Sequence, residues 1–265
     1  MNYKKGISYQ ELVSFVNQIR NYEPDIIDII FNCVFVPSSN DMDGKNVCIR
    51  ALPIPGTSII GANQFKGNKK LKLIIIDKSV TILGDSCFSD CINLKGVSIP
   101  KSVIQLSDNC FLNCNILSKI VIPDSVLYLG NCVFQNCYKL KSIKLSKNIK
   151  WIDYLTFYNC KNLRNIKLEE NLEFISEGAF MHCEKLNQLI FPEKIKRIDA
   201  NIIYGCKNIK YIYVPDGIMN IDVDAFIKSN TLKCISIPKH VDLDEFYFPY
   251  KTKLITRETQ QTIIT

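Results

Sequence analysis

The fold of this chain is decided by a stretch that recurs along most of its length; the copy at residues 122–140 reads IPDSVLYLGNCVFQNCYKL. Phe134 of this copy has counterparts at intervals of 23 residues, and they are Phe65, Phe88, Phe111, Phe157, Phe180, Ile203 and Phe226. A fixed period of about 20–50 residues is typical of a solenoid, in which each copy forms one coil. The period therefore predicts an elongated array of about eight stacked coils.

Six cysteines hold a single position of this repeat, three residues after the phenylalanine, and they are Cys91, Cys114, Cys137, Cys160, Cys183 and Cys206. Equivalent inward positions are not a disulfide pattern, so we interpret them as structural buried thiols, with disulfides as the less favoured alternative. The polar N-terminal residues show no apolar core of a secretory signal. We therefore expect a cytoplasmic, reducing location, where thiols stay free.

Each repeat contains two segments with strand-like patterning and one with a spacing of three. Apolar and polar residues alternate in segments such as Leu117-x-x-Ile120-x-Ile122, which predicts a strand buried on one face. Pro123 and its counterparts end that strand because proline cannot donate to a ladder. The following Val-x-x-Leu step predicts a turn or a second short strand, and Phe-x-x-Cys-x-x-Leu predicts a short 3₁₀ or α turn.

The pattern I-P-x-x-V-x-x-I-G-x-x-x-F-x-x-C-x-x-L, which covers roughly residues 50–241, resembles the BspA-like leucine-rich repeats of the 23-residue class. The resemblance implies an α/β-type repeat solenoid, a curved leucine-rich-repeat array with a parallel strand ladder. It also implies a role in protein binding, because the family includes surface proteins that bind host or matrix proteins and intracellular interaction proteins.

The ends of the chain do not follow the repeat. Residues 1–44 begin with a capping box at Ser8 and Glu11, followed by apolar residues at helical spacing, and a second helix is predicted from about Pro24. We predict a short N-terminal helical cap at 1–44, with a docking module as the alternative. The solenoid is predicted at 45–245, and a C-terminal cap and tail at 246–265.

No chemical site is apparent in the sequence. The two histidines, His182 and His240, lie in different registers of the repeat, so their spacing implies neither a Cys-His dyad nor a metal cluster. The phosphate-binding, nucleophile-elbow and zinc-protease motifs are all missing from the sequence. We predict no enzymatic activity, no cofactor, no metal, no small-molecule substrate and, without a long apolar run, no membrane span.

Function is predicted on the outward, concave face of the strand ladder, where residue types vary from coil to coil. The net charge of +7 permits an acidic partner. The predicted partner-binding residues are Lys119, Lys144, Asn165, Lys167, Gln188, Tyr211 and Tyr213. They suit a protein with acidic patches, since tyrosine is common at binding hot spots. The alternatives are a cell-surface adhesin exported without a signal peptide and, less favoured, a nucleic-acid binder that uses the basic residues on phosphate.

Overall fold

The structure, a computed structural model, describes residues 47–51, 53–244, 246, 248–249 and 251–258. These residues form seventeen strands, numbered β1–β17 along the chain, in five parallel sheets of three or four strands. The sheets follow one another in two series, and we call each series a ladder. Paired residues are 23 apart, as in Lys119↔Ser142 and Ser142↔Asn165, except in the strand pairs at the two ends of one ladder. One period of the sequence therefore corresponds to one coil of the structure. This confirms the predicted parallel-strand solenoid.

The first ladder contains the longer strands. Its members are β1 (Val47–Ala51), β3 (Leu71–Ile76), β5 (Gly96–Ser98), β7 (Lys119–Val121), β9 (Ser142–Lys144), β11 (Asn165–Ile166), β14 (Tyr211–Tyr213), β16 (Cys234–Pro238) and β17 (Lys253–Arg257). Burial alternates along them as the sequence pattern predicts: Ile143 is buried between exposed Ser142 and Lys144. The last strand, β17, lies inside the segment predicted as a C-terminal cap and tail, and it pairs in parallel with β16.

The second ladder is built from strands of two residues each. They are β2 (Ile59–Ile60), β4 (Ile82–Leu83), β6 (Gln105–Leu106), β8 (Tyr128–Leu129), β10 (Trp151–Ile152), β12 (Phe174–Ile175), β13 (Arg197–Ile198) and β15 (Asn220–Ile221). The second residue of every strand is buried and the first is directed outward. This arrangement confirms the short strand that the Val-x-x-Leu step predicts.

No helix occurs in the part of the chain that the structure describes, so the α/β class and the predicted 3₁₀ or α turn are wrong there. The segment around each phenylalanine is a run of turns in which successive N–H groups alternate their partners. Gln135 and Cys137 donate to carbonyls three residues back, whereas Phe134 and Asn136 donate to the next coil, at 2.9 Å to Thr156 and Tyr158. A helix would keep all these bonds inside the segment. The predicted helical cap at 1–44 lies outside the described residues.

This alternation requires residues in the left-handed region on both sides of the phenylalanine. Two residues after it, φ is positive in every coil, and the position holds Gly67, Asp90, Asn113, Asn136, Asn159, His182, Gly205 and Lys228. Asparagine, aspartate and glycine are the residues that adopt this conformation at least cost. Three of the asparagines also form a ladder: Asn113 donates to Asp90 at 2.6 Å, Asn136 to Asn113 at 2.8 Å and Asn159 to Asn136 at 2.9 Å.

Stacked phenylalanines fill the centre of the core. Phe65 to Phe180 form one column of six rings with centroids 5.3 to 5.7 Å apart and nearly parallel planes. An offset or parallel stack at this distance adds to the burial of each ring. Five of the six rings are fully buried, and only Phe65, in the first complete coil, is partly exposed.

The cysteine column binds the coils together through thiol donors. The Sγ atom of each donates to the phenylalanine carbonyl 26 residues earlier, at 3.1 to 3.3 Å, as in Cys160 to Phe134. The same carbonyl accepts the N–H of Cys137 in its own coil, so one oxygen uses both lone pairs. Ser229 occupies the cysteine position in a later coil and makes the equivalent bond to Ile203 at 2.8 Å.

Asn136 tests the contribution of the asparagine ladder. Its side chain makes two ladder bonds, and its φ of 60° suits asparagine or glycine but not alanine. We expect Asn136→Gly to lower the free energy of unfolding by about 1–2 kcal/mol, through the lost bonds and the added chain entropy. Asn136→Ala should cost about 1 kcal/mol more because of the left-handed strain. Urea unfolding of both variants measures their order of stability. An Ala variant as stable as the Gly variant would contradict the predicted order.

The buried thiols predict a loss of stability at alkaline pH. Burial raises the pKa of Cys91 to about 11 and that of Cys206 to about 12, and it raises the pKa of Cys137 further, above an ordinary value of 9.0. A raised folded-state pKa gives stability that is complete below about pH 9 and falls as pH rises toward the folded pKa, by up to about 1.4 kcal/mol per pH unit for each thiol.

Single substitutions in this column isolate the effect from other titrations. Cys137→Ser removes one buried thiol and keeps a donor of the kind that Ser229 uses, so its unfolding free energy should fall less steeply than that of the wild type between about pH 9 and about pH 11. Ser229→Cys should make the decline steeper. Chemical denaturation across this pH range measures both slopes, and identical slopes in all three proteins would refute the thiol explanation.

Candidate protein-binding face

The outward side of the first ladder is formed by three columns of side chains, at residues 72, 73 and 75 and at every 23rd residue after them, and the charged residues in these columns are all cationic. We call this side the basic face; its cations are Lys72, Lys95, Lys119, Lys141, Lys144, Arg164, Lys167, Lys210 and Lys233. No aspartate or glutamate occupies any of the three columns from coil 72–75 to coil 233–236. A surface of one sign extending along a strand ladder produces a potential that attracts the opposite sign.

The first four predicted residues lie on adjacent strands of this face. Lys119 belongs to β7 and Lys144 to β9, where it pairs in register with Val121. Asn165, in β11, lies in the column of Lys119 with Ser142 between them, and Lys167 follows β11 directly. The structure therefore brings these residues together, in the order in which their coils stack.

The ladder is interrupted at the coil that holds Gln188. Residues 188–190 form no strand, and the hydrogen-bonded ladder resumes only at β14. Shallow depressions of about 690 and 660 Å³ flank this coil and share Gln188 and Ile190 in their linings. The first is also lined by Tyr211 and Tyr213, and the second by Asn165 and Lys167. Thus five of the seven predicted residues line two adjoining depressions.

Ile190 and Tyr211 are the most exposed of the large apolar side chains in this region, and Tyr213 is also exposed. Ile190 is 67% exposed and Tyr211 65% exposed. The sequence prediction named Tyr211 but omitted Ile190 from the binding residues. The repeat pattern could have identified Ile190, because it shares the column of Lys144 and Lys167. An isoleucine at an outward strand position indicates a contact surface.

Two of the predicted residues have structural roles that limit their use in binding. The Lys167 ammonium lies 3.1 Å from the carboxylate of Glu169, whose side chain is only 7% exposed. Arg257 of β17 covers one face of the Tyr213 ring, with its guanidinium carbon 4.0 Å from the ring centroid, and 48% of Tyr213 remains exposed. Arg257 also donates to Ser236, to the Val214 carbonyl and to Asp216. Because Arg257 follows the last recognisable repeat, the period gave no sign of this contact.

The histidines and the thiols of Cys87 and Cys110 make packing and hydrogen-bond contacts with neighbouring coils. The His182 ring lies edge-on to Tyr158 and Tyr204, and a ring nitrogen of His240 is 2.9 Å from the Ile218 carbonyl. The Sγ atoms of Cys87 and Cys110 are 3.4 Å apart in the core. Burial and the neighbouring thiol raise the pKa of Cys110 well above its usual value. Within the described residues, no group of three or more histidine, cysteine or acidic side chains could hold a metal ion.

Comparison with solved structures supports the fold. A leucine-rich repeat protein from Eubacterium ventriosum is 28% identical with a TM-score of 0.53, over 59% of this chain, and the chain spans 42% of that protein's length. A leucine-rich repeat protein from Bacteroides ovatus is 23% identical with a TM-score of 0.50, over 79% of this chain and 78% of its own length. No curated protein matches the chain significantly.

The described residues contain no helix with the length and apolar character needed to cross a bilayer. The family model described as BspA type Leucine rich repeat region matches in six copies, at residues 58–173 and 135–255. These matches overlap and together include the second ladder, the first ladder from β3 to β16, the phenylalanine column and the cysteine column. The chain therefore belongs to the family of BspA type leucine-rich repeat proteins.

Proposed function

We propose that this protein is a non-enzymatic scaffold that binds a protein partner with acidic patches on the basic face, in the cytoplasm. The observation that carries the proposal is the set of nine cationic side chains in the three columns of that face, which contain no acidic residue. Glu170 and Glu193 lie beside these columns and line the second depression. A surface with this set of cations accelerates association with a partner of opposite charge and disfavours basic partners.

The region around Gln188 supplies the short-range contacts that charge alone cannot. Ile190 and Tyr211 extend above two adjoining depressions, and Lys210 lies beside them. An exposed tyrosine next to an aliphatic side chain is typical of the centre of a protein interface, where most of the binding energy is concentrated. We therefore place the centre of the proposed contact at this break in the ladder and the electrostatic rim on the strands before it.

A protein partner is favoured over nucleic acid by the placement of the aromatic rings. Single-stranded nucleic acid needs several exposed rings on which successive bases stack. The long phenylalanine column is buried, and on the basic face Tyr213 is already stacked by Arg257. The cytoplasmic location is supported by the thiol column, because each thiol must remain reduced to donate to a phenylalanine carbonyl.

The test uses a triple variant that removes the proposed centre and spares the structural contacts. We choose Gln188→Ala, Lys210→Ala and Tyr211→Ala. Lys167 and Tyr213 are left unchanged, because Lys167 forms an ion pair with Glu169 and Tyr213 contacts Arg257. Affinity purification from the native cells, with the bound proteins quantified, should lose acidic partners from the triple variant by at least about tenfold, as expected for hot-spot residues.

The matched control removes three exposed side chains elsewhere: Lys101→Ala, Lys139→Ala and Met219→Ala. This control should retain the partners at wild-type levels. If the triple variant retains every partner, or if the control loses the same ones, the basic face is not the binding surface. Recovery of nucleic acid as the main bound component of the wild type would favour the phosphate-binding alternative.

A further inference from the structure

The outward side of the second ladder presents a row of aromatic rings on consecutive coils. Tyr128, Trp151 and Phe174 occupy the outward position of β8, β10 and β12. The rings of Trp151 and Phe174 stack at 5.5 Å with an interplanar angle of 7°, and Tyr128 and Trp151 are 40% and 42% exposed. We call this surface the aromatic face.

Aliphatic side chains extend the aromatic face on the preceding column. Ile104 and Leu127, one residue before β6 and β8, are 45% and 55% exposed. Tyr154, three residues after Trp151, is 45% exposed. Contiguous exposed apolar surface of this kind marks an interaction site, since single exposed apolar residues are common but clusters are not.

Two carboxylates lie close to the positions that carry the aromatic rings. Asp153 comes two residues after Trp151, and Oδ1 of Asp108 lies against Gly130, two residues after Tyr128, so close that a Cβ atom on Gly130 would overlap it. Burial, followed by the charges of Asp153, Asp108 and Asp85, raises the pKa of Tyr128. Burial and the charge of Asp108 likewise raise the pKa of Asp153. Asp108 accepts the backbone N–H of Asn131 at 2.8 Å. No lysine or arginine in the described ranges forms an ion pair with any of these three aspartates.

The continuation of the same ladder is neutralised by its own residues. Glu173 lies 3.3 Å from Lys150 and 2.5 Å from Lys196, and Arg197 is 2.5 Å from Asp199. Glu173 is thus paired with cations of the preceding and the following coil, and Arg197 with an acid of its own coil. Within the described residues, the acids beside Tyr128 and Trp151 form no such ion pair.

We propose that the aromatic face binds a basic polypeptide segment of another protein, with an arginine or lysine side chain against the rings of Trp151 and Tyr128 and its charge paired with Asp108 and Asp153. A cation over an aromatic ring is stabilised by the ring's electrons, and a nearby carboxylate adds a charge-assisted hydrogen bond. Leucine-like side chains of the segment would cover Ile104 and Leu127. This partner is opposite in charge to the one proposed for the basic face.

The only tryptophan of the chain reports on this surface directly. The sequence contains one tryptophan, Trp151, so its fluorescence emission senses the aromatic face. The probe is the blocked hexapeptide Leu-Arg-Leu-Arg-Leu-Arg, titrated into the full chain, and its counterpart with glutamate in place of arginine is the control peptide. We expect a saturable change of emission with the arginine peptide and none with the glutamate peptide.

Variants separate a specific site from general charge attraction. The double substitution Asp108→Asn with Asp153→Asn should lower the affinity for the arginine peptide by at least about tenfold, because two charge-assisted contacts are lost. The matched control, Asp124→Asn with Glu193→Gln, removes the same charge at exposed positions elsewhere and should change the affinity less than about twofold. If the Asp108 and Asp153 variant does not fold, Leu127→Lys, at an exposed position, should weaken the same peptide by repulsion.

Three results would overturn the proposal. The first is an equal response of Trp151 to the glutamate peptide, which would indicate apolar contact without charge recognition. The second is equal weakening by the two pairs of acid substitutions, or no weakening by either of them or by Leu127→Lys. The third is a change of Trp151 emission with protein concentration alone, which would show that a second copy of the chain covers this face. None of these measurements depends on the basic face, so the two proposals succeed or fail separately.

Discussion

The structure depends on the alternation of backbone hydrogen bonds in the turn that carries each phenylalanine. Every second N–H bonds within the turn, and the others bond to the next coil, as Phe134 and Asn136 do to Thr156 and Tyr158. A coil that stood alone would leave those N–H groups and the matching carbonyls without partners, which is costly in a buried segment. The coils are thus obliged to stack at a fixed register, and both strand ladders follow from that register.

This constraint explains which residues repeat. The turn places one side chain at the centre of the coil, where a ring stacks on the rings above and below. It also leaves the phenylalanine carbonyl with a free lone pair, to which the thiol of the next coil donates. A small side chain with a donor is required, and serine satisfies the same requirement at Ser229. Cysteine repeats here for its geometry and hydrogen bond, since desolvation raises the thiol pKa and suppresses the reactive thiolate.

The inward half of the fold could be predicted from the sequence, because each inward position faces the same environment in every coil. The turn could not be assigned, because apolar residues three apart fit both a helical turn and a run of β-turns. The asparagines two residues after Phe111, Phe134 and Phe157, with glycine or aspartate at the same position in three other coils, were the missing signal, since recurring left-handed positions exclude a helix. The period also assigned the seven predicted surface residues to the same ladder. The period could not reveal the ion pair between Lys167 and Glu169, because Glu169 replaces a proline of the repeat. Nor could it reveal the contact of Arg257 with the Tyr213 ring, because Arg257 lies after the last repeat.

The net charge of +7 does not describe the charge of either ladder's outward side. The three outward columns of the first ladder contain cations and no acids, whereas the second ladder places Asp108 and Asp153 near positions that carry exposed rings. The invariant core separates these faces, so outward residues on either ladder can change without repacking the other. A globular domain rarely has this freedom, because its surface residues share loops and core contacts. In a solenoid each outward column is independent, and a chain of this length can therefore present one face to an acidic surface and another to a basic segment.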